Sequence, residues 1–171
     1  MNYHVKSILL VLFIFCAGGL FALGSRESGA SRFSDKDLSR ILDSRRDVSF
    51  MAKALHSTGL DGRMNELDGF TLFVPTDAAV KKMVQQLQDA MPERPDVLSE
   101  VIKDIMVKGV YSSDELLSMG KVKTMGGITL EIEGDKRNMR IAGSDVKAED
   151  LYGNGFVVHI VSGIIIRDIR L

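Results

Sequence analysis

The sequence predicts an α+β domain, and three observations carry that reading. Apolar residues recur at helical spacing through the first half of the chain. In the second half they alternate with period two. Between the halves lies Gly69-Phe70-Thr71-Leu72-Phe73-Val74-Pro75-Thr76-Asp77, which reads as a buried strand turning at a proline into a helix. Helices gathered in one half and strands in the other make a segregated layout.

Residues 1–24 read as a signal peptide. His4 and Lys6 give a short polar start, and Ile8 to Phe15 is unbroken apolar chain. Ala22-Leu23-Gly24 then offers small residues at a cleavage site before Ser25. Two alternatives stay open. An uncleaved membrane anchor would be slightly short of the ~20 residues of a full span. Lipidation at Cys16 would follow Phe15, where such signals prefer a small residue. Residues 25–34, rich in Ser, Gly and charge, read as a flexible leader.

The domain proper starts at residue 35. Ser34 or Asp35 can cap a helix to about Leu42, with Leu38, Ile41 and Leu42 on one face. A second helix over Val48 to Ser57 places Phe50, Met51, Ala54 and Leu55 at helical spacing, and Gly59 supplies a left-handed cap. In the strand that follows, Phe70, Leu72 and Val74 face one way, Thr71 and Phe73 the other. Pro75 has no N–H to donate, so pairing is expected to end there. Thr76 and Asp77 both suit a helix N-cap, and Asp77 also suits the positive end of the helix dipole. That helix is expected to reach Met91, with Val80, Val84, Leu87 and Met91 inward. Met91-Pro92-Glu93-Arg94-Pro95 is a loop. Asp96 to about Asp104 is a further helix carrying Val97, Val101 and Ile102 on its apolar side. Ile105-Met106-Val107 reads as an emerging strand with Ile105 and Val107 toward the core.

Ser112 or Ser113 caps a short turn over Glu115-Leu116-Leu117. Gly126 to Glu133 then alternates as a strand, closed by a turn at Gly134-Asp135. Met139-Arg140-Ile141 and Val146 point to short strands. Phe156 to Val161 is another strand, and Ile164-Ile165-Ile166 is expected to be the last.

Composition excludes several function classes. A hydrophobic content of 45% with 26% charged residues is that of a globular protein. The formal net charge of -1 gives no support to nucleic-acid binding, and the absence of Trp argues against a stacking platform. Cys16 is the only cysteine and lies in the signal segment, so a mature chain has no disulfide, thiolate nucleophile or zinc–cysteine site. No Asn-X-Ser/Thr acceptor occurs, which fits a bacterial envelope.

The chemical candidates are few. His56 and His159 show no metal-ligand spacing. His159, between Val158 and Ile160, reads as a structural histidine, and Asp77 as a capping residue. No G-x-S-x-G elbow or phosphate-cradling loop is present. No catalytic residue, metal or cofactor is expected. The enzymatic alternative, a hydrolase built on His159 and an acid, needs a nucleophile within reach of the ring.

Two motifs carry a family resemblance. The run containing Phe70, Thr71, Phe73, Pro75, Thr76 and Asp77 resembles the first signature of the fasciclin domain. Asn154-Gly155 followed by a hydrophobic strand with His159 resembles the second. The preceding order of Phe50, Ala54-Leu55 and Gly59-Leu60 is similar to that family too. The resemblance spans roughly Leu38 to Ile166 and implies one copy of the domain over residues 35–171. It implies a compact β-sandwich or wedge with helices packed along it. It also implies an exported, non-enzymatic interaction or adhesion domain binding a protein or an envelope or matrix component. Such a protein would be periplasmic, envelope-bound or secreted, and would touch a membrane only through its N-terminal segment. The alternative is a periplasmic or envelope binding module for a small molecule or glycan. Adhesive members carry a Tyr-His pair where this chain has Asp104 and Ile105, and often an Asp where it has Ser162. The segment Asp104 to Tyr111 occupies the adhesive position, which makes Asp104, Met106 and Tyr111 the candidate partner contacts.

Overall fold

The computed structural model describes residues 35–67, 69–87 and 101–165. The signal segment, the leader, Met91, Val97 and the side chains of Val84 and Leu87 lie outside the described residues. Three short helices open the domain: α1 (Leu38–Asp43), α2 (Ser49–Thr58) and α3 (Leu60–Asn65). α1 starts after Asp37 rather than at Ser34 or Asp35, but Leu38, Ile41 and Leu42 are buried as their spacing requires. Gly59 ends α2 in the left-handed conformation (φ 64°) and opens α3 in the same step. α3 buries only Met64, so it left no periodic signal in the sequence. Phe50 is the correction in α2. It is 53% exposed, because Met51 and Leu55 form the buried stripe and Phe50 lies one residue off it.

Strand β1 (Phe70–Pro75) is buried along its whole length. It pairs in parallel with β7 (Phe156–Val161) and antiparallel with β2 (Met106–Lys108). The ladder passes the missing Pro75 donor and takes the Thr76 N–H instead, which donates to the Val161 carbonyl at 3.0 Å. Pairing therefore runs one residue beyond the expected stop. α4 (Asp77–Leu87) follows, and residues 101–104 are helical before β2. The second half contains α5 (Ser113–Met119), β3 (Lys121–Lys123), β4 (Thr129–Glu133), β5 (Arg140–Ile141) and β6 (Ser144–Tyr152) ahead of β7. β4 starts at Thr129, not Gly126, because Gly127 (φ 90°) turns the chain there. β6 is far longer than the short strand expected around Val146.

The strands form one hydrogen-bonded order, β2-β1-β7-β6-β5-β4-β3. Two register shifts in β6 bend it, as bulges do. The ends of the order then meet: the Met125 N–H donates to the Met106 carbonyl at 2.7 Å, and the Gly126 N–H to the Lys103 carbonyl at 2.8 Å. The core lies on both faces of the sheet: Phe70, Leu72, Phe156 and Ile160 share one face of β1 and β7, Phe73 stands on the other, and Ile105, Leu116, Leu130 and Ile141 are fully buried as well. Phe70 and Phe156 stack at 5.0 Å between centroids. Each such fully buried side chain contributes roughly 1.5–3 kcal/mol. Ile105 and Val107 are inside, as alternation predicts, and so is Met106, because neighbouring structure covers both faces of this strand.

Ile164-Ile165 form no strand, which corrects the sequence expectation; Ile166 lies outside the described residues. Both edges of β7 are already taken by β1 and β6, so the chain leaves the sheet after Val161. The apolar character of Ile165 serves packing instead, since its side chain is buried in the core.

Candidate functional site

Parallel pairing of β1 with β7 brings the two sequence motifs side by side, with Phe73 opposite His159. The two rings stack at 5.8 Å. His159 is fully buried, and both ring nitrogens meet backbone. Nε2 lies 3.0 Å from the Tyr111 carbonyl, and Nδ1 accepts the Asp150 N–H at 3.4 Å. A carbonyl can only accept and an amide can only donate, so the backbone fixes the neutral Nε2–H tautomer. Burial pushes the His159 pKa down, against the opposing pull of the Tyr111 carbonyl and the Asp150 carboxylate.

Each partner is itself held. Thr71 Oγ1 accepts the Tyr111 N–H at 2.9 Å and donates to the Gly109 carbonyl at 2.7 Å. Gly109 has a positive φ of 101°, and the Tyr111 side chain comes within 2.9 Å of where a Cβ would stand. Asp150 sits in the second register shift of β6 with φ 56°, a left-handed conformation that costs a non-glycine residue energy. Its carboxylate accepts the Ser113 N–H at 2.9 Å and the Ser113 hydroxyl at 2.7 Å, at the start of α5. Ser112 and Glu115 add a capping box to the same helix end. One chain of bonds thus ties β1, β7, β6 and α5 together.

Asp77 is a cap, but of a different helix from the one expected. Thr76 Oγ1 accepts the Ala79 N–H at 3.4 Å and so caps α4. The Asp77 carboxylate reaches across to α2, where it accepts the Ser49 N–H at 3.1 Å, the Ser49 hydroxyl at 2.6 Å and the Phe50 N–H at 2.8 Å. Arg45 and Asp47, joined by two hydrogen bonds at 2.9 and 2.8 Å, brace the same junction through the Asp47 carbonyl, which accepts the Asp77 N–H. That pairing lowers the Asp47 carboxyl pKa and raises the Arg45 guanidinium pKa. Asn154 and Gly155 form the turn into β7. Gly155 has φ 77°, and the Asn154 N–H donates to the Lys36 carbonyl at 3.2 Å.

This arrangement has little capacity for chemistry. Both His159 nitrogens are engaged, and the Ser113 hydroxyl gives its proton to Asp150 rather than to the ring. Among the described residues no group of three His, Cys, Asp or Glu side chains is placed to hold a metal ion. The proposed contact residues fare unevenly. Asp104 and Met106 are only 2% and 5% exposed, beneath the surface a partner would touch. Tyr111 is half-buried and gives its main chain to the His159 network. A shallow depression of about 180 Å³ lies between Lys136, Arg137, Val146, Lys147 and Glu149. Burial and the nearby Asp150 and Asp114 carboxylates raise the Glu149 pKa. Sequence reading missed Asp150, and gave Ser113 only as one of two possible caps without its partner. Neither stands in a motif, and their bond spans 37 residues.

The sequence model of the fasciclin domain matches residues 46–167. Among solved structures, a FAS1 domain pair from the insect cell adhesion molecule fasciclin I matches with a TM-score of 0.67 at 14% identity. The match covers 78% of this chain and 51% of that one, so this chain spans about half the length of the two-domain structure. At that identity the likeness is one of fold.

Proposed function

The chain belongs to the fasciclin domain family, and from that membership we propose that it is an exported, non-enzymatic interaction module, binding a protein or an envelope or matrix component. One observation supports this reading above the others. The buried polar groups that carry the family motifs, Thr71 and His159, are consumed in holding strands together, and Asp77 is consumed in capping α2. None is presented to a substrate. The solved relative is named a cell adhesion molecule, and a related role is proposed here without the Tyr-His pair of adhesive members. The depression beside Lys147 is open and smaller than the ~300–1,000 Å³ of ordinary ligand pockets, so it lends no support to the small-molecule alternative.

The test is a pull-down from the native envelope with the domain as bait. Capture of a defined partner, competed away by free domain, is the expected result. A folded domain that captures nothing, or that turns over an ester or glycoside, would overturn the proposal. Export is tested by the intact mass of envelope-purified protein. A chain starting near Ser25 supports cleavage, retention of residues 1–24 refutes it, and an acylated chain starting at Cys16 supports lipidation instead.

A further inference from the structure

We propose that the outer edge of β3 is a docking strand for an extended acidic segment of a partner protein. The proposal deepens the interaction reading and rests on it. β3 is the terminal strand of the order, so among the described residues no strand pairs with its outer side. The other end of the sheet meets the chain only beyond β3, at Met125 and Gly126. A strand added to the outer side would find a defined surface. Lys121 and Lys123 are both exposed, and their side chains stand on one face about 7 Å apart. Neither forms an ion pair among the described residues, nor does Lys103, whose carbonyl holds the Gly126 N–H beside them.

The inner side of β3 shows what complements this row. β4 places Glu131 opposite Lys121 in register and Thr129 opposite Lys123. Opposite charges in such directly facing pairs are favourable, and like charges are not. Among the described residues no strand stands on the outer side to supply matching acids. The open edge ends at Lys123, because the Met125 N–H beyond it is already given to the Met106 carbonyl of β2. The complementary segment is therefore short and extended, with two acidic residues at alternate positions. Main-chain bonds to the edge give affinity, and the alternate side chains give register. A lipid surface fits less well, because it needs several projecting apolar groups where this edge projects only lysines.

The experiment uses the full-length chain and a fluorescent peptide alternating glutamate with valine, read by polarisation. Binding is expected, weakened by salt and lost when glutamine replaces glutamate. Lys121→Gln with Lys123→Gln should weaken it roughly tenfold or more, since both facing charges go. Lys147→Gln, away from this edge, should leave it unchanged. Amide exchange should slow at residues 121–123 on binding. If the double variant is misfolded, Lys123→Glu, which faces Thr129 rather than an acid, tests the same contact through loss of binding. The proposal is overturned by absent peptide binding, by equal binding of the glutamine peptide, by no protection at 121–123, or by preference for phosphatidylserine vesicles. A captured natural partner that binds parent and double variant equally would refute the edge assignment and leave the interaction reading standing.

Discussion

Replacing His159 with alanine should destabilise the domain by about 2.5–4.5 kcal/mol, assembled from two contributions. The Tyr111 carbonyl, accepting from Nε2 at 3.0 Å, is left without that donor inside the protein. Stranding a buried group of this kind costs about 1–3 kcal/mol. The Asp150 N–H adds little, because its bond to Nδ1 is long at 3.4 Å. The ring itself is fully buried against Phe73, so its removal opens a cavity. At about 24 cal/mol per Å³, a void of roughly 60 Å³ adds about 1.5 kcal/mol. Urea melts at pH 7.5, followed by far-UV circular dichroism, give the measurement, with the midpoint falling and the m-value unchanged. His159→Gln, which keeps a donor for the Tyr111 carbonyl, should recover part of the loss. An unchanged midpoint in His159→Ala would refute the reasoning. If partner binding were lost at the same time, His159 would be a functional residue rather than a structural one.

Stability should also depend on pH through this residue. The folded state disfavours the charged ring, so below the unfolded value near 6.5 the unfolded chain binds more protons. Stability contributed by neutral His159 is therefore full above about pH 6.5 and falls on acidification toward the lowered folded value, by at most about 1.4 kcal/mol per pH unit. His159→Gln should flatten that slope, and a slope that persists would belong to other groups. Asp77→Ala should cost about 1–2 kcal/mol by uncapping α2, with exchange rising first at the Ser49 and Phe50 amides; rising first at α4 instead would refute the cross-helix cap. Gly153→Ala should be severely destabilising, because a Cβ there collides with the Phe156 ring, and a melt within a degree or two of the parent would show that the ring can move aside. Cells plated on the domain should not spread through integrins. Spreading blocked by integrin antibodies and lost on Tyr111→Ala in a folded protein would restore the adhesive role to that segment.

What the sequence made legible was local. Pro75 and the Asn154-Gly155 turn bound two apolar runs, so β1 and β7 were found almost to the residue. The Ser112 cap was legible as one of two candidates, but it was read ahead of a short turn, where the structure has a helix with a Ser112–Glu115 capping box. β3 escaped because Lys121-Val122-Lys123 buries one side chain, too few for a period. The length of β6 was hidden by its register shifts, which break the alternation that would mark it. Phe50 misled because helical spacing counts apolar residues without knowing which face meets the core. The partners of Asp77 lie 27 and 28 residues away and that of His159 Nε2 lies 48 away, so a single sequence carries no trace of either pairing.

The same distinction bears on where binding specificity resides. Thr71, Phe73 and His159 make the chain recognisable, and all three are wholly buried. Their chemistry is spent on closing β1 against β7 and on pinning the Tyr111 main chain, so a partner cannot read them. Asp104 and Met106, at the position where adhesive relatives carry their motif, are likewise inside. Discrimination between partners must then come from exposed side chains whose replacement leaves the core intact. Lys121 and Lys123 meet that condition: they flank the buried Val122 on a terminal strand and are free of ion pairs among the described residues. Surface substitutions of this kind usually shift stability by no more than about 0.5 kcal/mol. The two classes of residue should therefore separate cleanly by experiment, the motif residues moving the melt and the β3 lysines moving the binding.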